Sequence, residues 1–320
     1  MSKIKIICTL GPRSINKNFL NFSNKNIDLL RLNMSHLSIN KLNKTIKFVK
    51  KNSRVPICID TEGAQIRVKV KKEKFLKHGQ IVKLSDQIGE TKLYPEYIMK
   101  KLKIGDILNV GFSNLSLKII KRKTKIYGKV ISAGKLENNK GVHLENRKIK
   151  LNFLTDKDFQ AIEIGKKHKI KNYALSFTNS PNDIMKFNKL LKGKNKIFKI
   201  ETRNAIKNFN SMLKKGENFL IDRGDLSKDV KIENIPTVQR NLFKMKLKYR
   251  NKEIFVATNL LESMLENNFP TRGEANDIFN SLEMGASGLV LAAETAIGKH
   301  PKDTVRFMKK MILAFKRSKQ

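Results

Sequence analysis

The chain has 320 residues, with 67 Lys and Arg against 28 Asp and Glu, a formal charge of +39. Its 40% hydrophobic content can build a sizeable core, which excludes wholesale disorder despite the charge. No run approaches the ~18 apolar residues of a membrane span, and MSKIKIICTLGP is too briefly apolar for a signal peptide and reads as a strand. Cys8 and Cys58 lie in apolar strand-like runs, which suits buried free thiols in the cytoplasm, with no membrane involved. Lysines are spread over the whole length, densest at KIIKRKTK (118–125) inside an alternating pattern. Trp is absent and no aromatic-rich basic segment stands out, so a nucleic-acid partner is not expected.

Short β-branched runs alternate with longer amphipathic ones. Eight runs read as buried parallel strands: KIKIICT (3–9), DLLRLN (28–33), VPICID (55–60), NYALSF (172–177), KIFKIE (196–201), NFLID (218–222), EIFVAT (253–258) and GLVLAAE (288–294). Helical patterns lie between them, at 39–51, 159–169, 205–215, 275–285 and 303–315. Thr155 and Asp158 have capping-box spacing, and Gly285 sits where a helix should stop. Eight such units are the arithmetic of a (β/α)8 TIM barrel. Residues 67–150 instead show short alternating runs (IRVKVKK, GQIVKL, GDILNVG, LSLKIIKRK), read as a small all-β domain inserted after strand 3. The expected division is therefore 1–66 and 151–320 for the barrel, with 67–150 as a hinged lid emerging from the face that carries the chemistry.

On a barrel, polar groups at the C-terminal strand ends converge on one pocket. Here they are Thr9, then Arg31, Asn33, Ser35 and His36, then Asp60, Thr61 and Arg67. They continue with Ser176, Lys199 and Glu201, Arg223 and Asp225, Thr258 and Asn259, and finally Glu294 and Thr295. Ending most strands with charge is costly unless something binds there. Arg31, Arg67 and Lys199 suit a phosphoryl group and its developing charge. Glu201 and Asp225 are two hard oxygen ligands suited to Mg²⁺. Gly224 and Asp225 open a short turn whose N–H groups could hold a substrate carboxylate. Asn33, Ser35, Asp60 and Thr61 offer oxygens with one full charge, which suits a large monovalent cation. Cys and His cluster nowhere, so zinc is not expected.

At these motifs the sequence resembles the pyruvate kinase family. The matching segments are CTLGPRS (8–14), RLNMSH (31–36), DTEGAQIR (60–67), KGVHL (140–144), LTDKD (154–158), ALSF (174–177) and KIE (199–201). They go on with RGDL (223–226), ATNLLESM (257–264), PTRGEANDI (270–278) and ETAIGKHP (294–301), in family order along nearly the whole chain. The resemblance implies transfer of a phosphoryl group from phosphoenolpyruvate to ADP, giving pyruvate and ATP, the last step of glycolysis. It implies Lys199 as stabiliser of the transferring phosphoryl and the enolate, and Arg31 and Arg67 as phosphate holders. Arg223, Gly224 and Asp225 would sit at the substrate, with Thr258 near the enolate carbon. Glu201 and Asp225 would bind Mg²⁺ (or Mn²⁺), and Asn33, Ser35, Asp60 and Thr61 would bind K⁺. Pro12, His36 and Lys140 match the nucleotide side.

The sequence also departs from the family's pattern. Glu62-Gly63-Ala64-Gln65 stands for Lys-Gly-Pro-Glu, Asn179 for Arg and Thr202 for Asn. Ala292–Ala293 stands for Ser-Gly, and Asn109-Val110-Gly111 for Asp-Asp-Gly. Pyruvate kinases generally continue into a C-terminal effector and interface domain, whereas this sequence stops at Gln320. The expectation is a short form without sugar-phosphate activation, whose homo-oligomer, if formed, does not use that domain. Two other readings stay open: a paralogue with the same Mg²⁺–enolate core and another substrate or acceptor, and a non-catalytic anion or nucleic-acid binder.

Overall fold

A computed structural model describes residues 3–85, 90–111, 115–123, 125–145, 147, 149–249 and 251–320; Thr124 of the basic run 118–125 lies outside the described residues. The chain forms two compact units, 1–63 with 156–320, and 64–155.

The larger unit is a closed parallel (β/α)8 barrel. Its strands are β1 Lys5–Thr9, β2 Leu29–Asn33, β3 Ile57–Asp60, β4 Asn172–Leu175, β5 Asn195–Ile200, β6 Asn218–Asp222, β7 Glu253–Ala257 and β8 Gly288–Leu291. Each pairs with the next, and β8 closes on β1 through Lys5↔Gly288 and Cys8↔Leu291. The main helices are α1 Lys17–Asn26, α2 Ile39–Asn52, α3 Asp156–Lys167, α4 Pro181–Leu190, α5 Arg203–Leu213, α6 Ile235–Lys246, α7 Arg272–Glu283 and α8 Pro301–Arg317.

Alternation along each strand decides which side chains enter the barrel. Ile7, Cys58, Ala174, Ile197, Leu220, Phe255, Ala257 and Val290 form the interior cluster. The intervening positions face the helices, where Phe198 packs on Phe187 of α4 and on Phe219, itself edge-on to Phe209 of α5. At the base of β8 only glycine fits, because a Cβ on Gly288 would lie 2.5 Å from the Lys5 carbonyl and 2.8 Å from the Phe255 ring. Two strands end two or more residues earlier than the sequence reading. β4 stops at Leu175 because Phe177 turns left-handed (φ 52°), and β8 stops at Leu291 because a short helix begins at Ala293.

Gly285 ends α7 as expected, at φ +96°. A complete capping box opens the same helix, between Thr271 and Glu274. Asp158, in the first turn of α3, accepts on its carboxylate from the Glu62 and Gly63 N–H groups at 2.6 and 3.0 Å, pinning the turn after β3. No helix among the described residues is long and apolar enough to cross a membrane.

The smaller unit is built on a seven-stranded sheet in the order 81–84, 126–132, 115–122, 107–110, 141–144, 66–69 and 92–94. The strands at 74–76 and 134–136 form a separate pair, and a five-residue helix, Tyr97–Lys101, adds one helical turn to the expected all-β pattern. Strand 115–122 alternates buried Leu115, Leu117 and Ile119 with half-buried Ser116 and exposed Lys118 and Ile120, and the buried set joins Val68, Leu108 and Val130 in the core.

Asp106 is buried beside that core. It accepts from Arg147 Nε and Nη2, both at 2.7 Å, and from the Lys103 N–H at 2.7 Å. Burial raises its pKa, but the Arg147 and Lys103 bonds outweigh burial and hold the carboxyl below the usual range. A carboxyl depressed in the folded state adds stability above its unfolded pKa, ~3.9, and that stability disappears as pH falls through the folded value. Asp106→Asn should therefore destabilise this unit by about 1–2 kcal/mol at neutral pH, a charged hydrogen-bond contribution discounted for the part-exposed Arg147. The deficit against wild type should shrink steadily in melts at pH values falling below the unfolded ~3.9, whereas a constant deficit would show that shape and not charge is responsible.

Candidate active site

The alternation that sends Ile197 into the barrel sends Lys199 and Glu201 to the same side at the strand's C-terminal end. By the same parity Arg31, Asp60, Ser176 and Asp222 follow Leu29, Cys58, Ala174 and Leu220. These side chains meet. Lys199 Nζ is 2.8 Å from Glu201 Oε1, 3.2 Å from Asp222 Oδ2 and 3.4 Å from Asp60 Oδ2, and it donates to Ser176 Oγ at 3.2 Å. Burial lowers the lysine's pKa, but Asp60, Glu201 and Asp222 overcome it and hold the ammonium well above its usual range. Lys199 is a fixed, buried cation.

Asp60 ties two cations to one point. Its Oδ2 faces Arg31 Nε at 2.9 Å as well as Lys199, while its Oδ1 accepts from Ser176 Oγ at 3.1 Å. The buried Arg31 Nη1 has no hydrogen-bond partner among the described residues, nor does Thr9 Oγ1, which stands beside it in register. A buried guanidinium nitrogen without an acceptor is costly and fits an incoming anion.

Glu201, Asp222 and Asp225 each bring one carboxylate oxygen to within 4.8 Å of the other two. Glu201 is fixed on both oxygens, by Lys199 at Oε1 and by the Phe177 N–H at Oε2, 2.5 Å away. Burial, then the neighbouring charges of Asp225 and Asp222, push its carboxyl up to about 8 against the pull of Lys199. Asp222 goes the other way: burial raises it, but Lys199, Arg31 and a 2.6 Å bond from Thr258 Oγ1 hold it well below the carboxylate range. Asp225 sits on a short helix, Arg223–Leu226, paired with Lys228. Three converging carboxylates, one of them driven toward its protonated form, fit a hard divalent cation that would relieve their repulsion.

Thr258 follows β7 with φ 78° and Asn259 with φ 57°, a left-handed turn that a β-branched residue adopts only when held. Arg223 holds it: Nε and Nη2 donate to the Thr258 carbonyl at 3.1 and 2.6 Å, and Nη1 donates to Asp277 Oδ1 at 2.8 Å. The guanidinium expected at the substrate is thus engaged by the protein itself. Gly224 allows the close approach, since a Cβ there would lie 2.7 Å from Thr258 Cγ2. Glu294, buried after β8, accepts from the Ala292 N–H at 2.7 Å and the Leu261 N–H at 3.4 Å.

Asn33, Ser35, Asp60 and Thr61 gather at the ends of β2 and β3. Asn33 is in register with Asp60, its Oδ1 accepts from the Ser35 N–H at 2.9 Å, and Thr61 Oγ1 accepts from the Ser176 N–H at 3.0 Å. Pro12 and His36 are exposed on the loops after the adjacent strands β1 and β2. Arg67 and Lys140 belong to the smaller unit, where Arg67 Nη1 donates to the Asn139 carbonyl at 3.0 Å and Lys140 Nζ lies 3.5 Å from Glu137. The residue missed in the sequence was Asp222. Its signal was the two-residue step from buried Leu220 in NFLID, the same step that singles out Lys199.

Comparison with known proteins agrees with this geometry. The family profile described as "Pyruvate kinase, barrel domain" matches residues 1–305. The pyruvate kinase of Thermotoga maritima is 32% identical over 97% of this chain and 70% of its own length. That of Methanocaldococcus jannaschii is 32% identical over 97% and 69%, and that of Staphylococcus epidermidis 31% identical over 98% and 57%. A match that runs through barrel and insertion alike, on a chain whose strand ends gather a buried lysine among carboxylates, leaves one conclusion: the chain belongs to the pyruvate kinase family.

Proposed function

We propose that this chain transfers the phosphoryl group of phosphoenolpyruvate to ADP, giving pyruvate and ATP. The observation that carries the reading is Lys199, a buried ammonium fixed within 3.4 Å of Asp60, Glu201 and Asp222 and beside the guanidinium of Arg31. As the bond from phosphorus to the enol oxygen breaks, negative charge passes to that oxygen. Cations already in place can meet it without reorganising. Arg31 Nη1, lacking an acceptor among the described residues, is the donor assigned to the phosphoryl oxygens. Arg67 shares that assignment through its position in the family motif.

After transfer the enolate carbon must take up a proton, and Thr258 is assigned to that step. Its Oγ1–H is held by Asp222 Oδ1 and its carbonyl by Arg223, while Gly224 leaves room for its side chain, so that Arg223 and Gly224 act on the substrate through it. Glu201, Asp222 and Asp225 would hold Mg²⁺ or Mn²⁺, which when bound neutralises phosphoryl and enolate oxygens. Asn33, Ser35, Asp60 and Thr61 would hold K⁺. Pro12, His36 and Lys140 are assigned to the nucleotide by motif position. A cytoplasmic setting is supported by Cys8 and Cys58, both free and buried, with burial pushing both thiols up and away from reactivity.

Incubation with phosphoenolpyruvate, ADP and Mg²⁺ should yield pyruvate and ATP in equal amounts, and Glu201→Gln should lose the divalent-dependent turnover. Pyruvate without ATP would favour the paralogue with another acceptor, a reading that the relatives named above do not support. Absence of both products would refute the assignment.

A further inference from the structure

Two positions where the sequence departs from the family's pattern, Asn179 and Thr202, touch in the structure: Thr202 Oγ1 donates to Asn179 Oδ1. They flank Glu201. Thr202 follows it directly and caps α5, accepting from the Ala205 N–H at 3.1 Å. Asn179 lies in the loop after β4, two residues beyond Phe177, whose N–H meets Glu201 Oε2.

Asn179 is bonded at each of its polar groups. Its Nδ2 donates to the Phe177 carbonyl at 2.8 Å, its N–H donates to Asp183 Oδ2 at 3.0 Å, and its carbonyl accepts from Asn208 Nδ2 at 2.8 Å. Phe177 has φ 52°, a conformation that a bulky residue keeps only under constraint. Its constraints are Glu201 on the nitrogen side and Asn179 on the carbonyl side. The same amide group of Asn179 therefore grips the donor to Glu201 and the residue that follows Glu201.

We infer that Asn179, locked to Thr202, is a positioning residue that aims the Glu201 carboxylate at the divalent cation. The inference rests on the cation assignment made above. The two departures form one contact, so the loss of either should release the same constraint. Supporting residues that orient a metal ligand typically contribute 10–100-fold in metal affinity.

The test is titration of the purified full chain with Mn²⁺ alone, followed by calorimetry, so that the readout is independent of turnover. Asn179→Ala is expected to bind Mn²⁺ about 10-fold or more weakly. Thr202→Val should weaken binding in the same direction, Thr202→Ser should restore it, and the Asn179→Ala/Thr202→Val double variant should be no weaker than Asn179→Ala. If Asn179→Ala does not fold, Asn179→Ser supplies the same comparison. Wild-type affinity in the Asn179 variant, with binding lost in Glu201→Gln, would overturn the positioning role and leave the cation site standing. Wild-type affinity in Glu201→Gln would overturn the cation assignment and this inference together.

Discussion

Lys199→Met should lose pyruvate formation by about 10²–10³, the usual contribution of a preorganised cation at developing negative charge. Methionine keeps much of the stem's bulk, so the loss isolates the ammonium. The structure adds a second consequence. The ammonium lies within 3.4 Å of Asp60, Glu201 and Asp222, so its removal leaves three buried carboxylates facing one another. Breaking a buried ionic group from one side costs about 3–5 kcal/mol, a large share of ordinary stability. The metal-free variant should therefore melt well below wild type, and Mg²⁺ should raise its melting temperature more than it raises that of wild type. Wild-type activity in Lys199→Met would sink the mechanism. An equal response to Mg²⁺ in both proteins would show that the carboxylates do not share the cation's site.

Asp222→Asn should be nearly as damaging. The amide oxygen can still accept from Thr258 Oγ1, so the turn after β7 is kept while one charge disappears from the set of Glu201, Asp222 and Asp225. Mn²⁺ affinity is expected to fall by at least ~10-fold and turnover by about 10² or more, from the weakened cation and a less balanced Lys199 together. Calorimetric titration with Mn²⁺ separates the two contributions. Reduced turnover with unchanged Mn²⁺ affinity would restrict Asp222 to orienting Lys199 and Thr258.

The barrel was legible because its signals are local. A period of two in KIFKIE and a longer amphipathic period in INKLNKTIKFVKK depend only on backbone geometry, and eight repeats of the pair define the closed fold. The same parity placed Lys199 and Glu201 on one side of β5, and the switch to short alternating runs after residue 66 marked the inserted sheet. The strand ends of the site were readable for the same reason, since residues that terminate parallel strands must face one end of a barrel.

Tertiary structure alone decided which of those polar residues meet and which support the others. Asp222 joins Glu201 because β5 and β6 align Ile200 with Ile221, an inter-strand register that neither strand's own pattern contains. Arg223 meets the Thr258 carbonyl because the chain turns left-handed at Thr258, and Asp277 of α7 holds the other side of its guanidinium, contacts between elements that no single segment's pattern contains. Asn179 and Thr202, separated by the whole of α4 and β5, read as two isolated departures until the loop after β4 folds over the end of β5. The sequence determined what kinds of chemistry stand at each strand end. Their distances, partners and protonation were left to packing, because electrostatic energies depend on separations that only the closed barrel fixes.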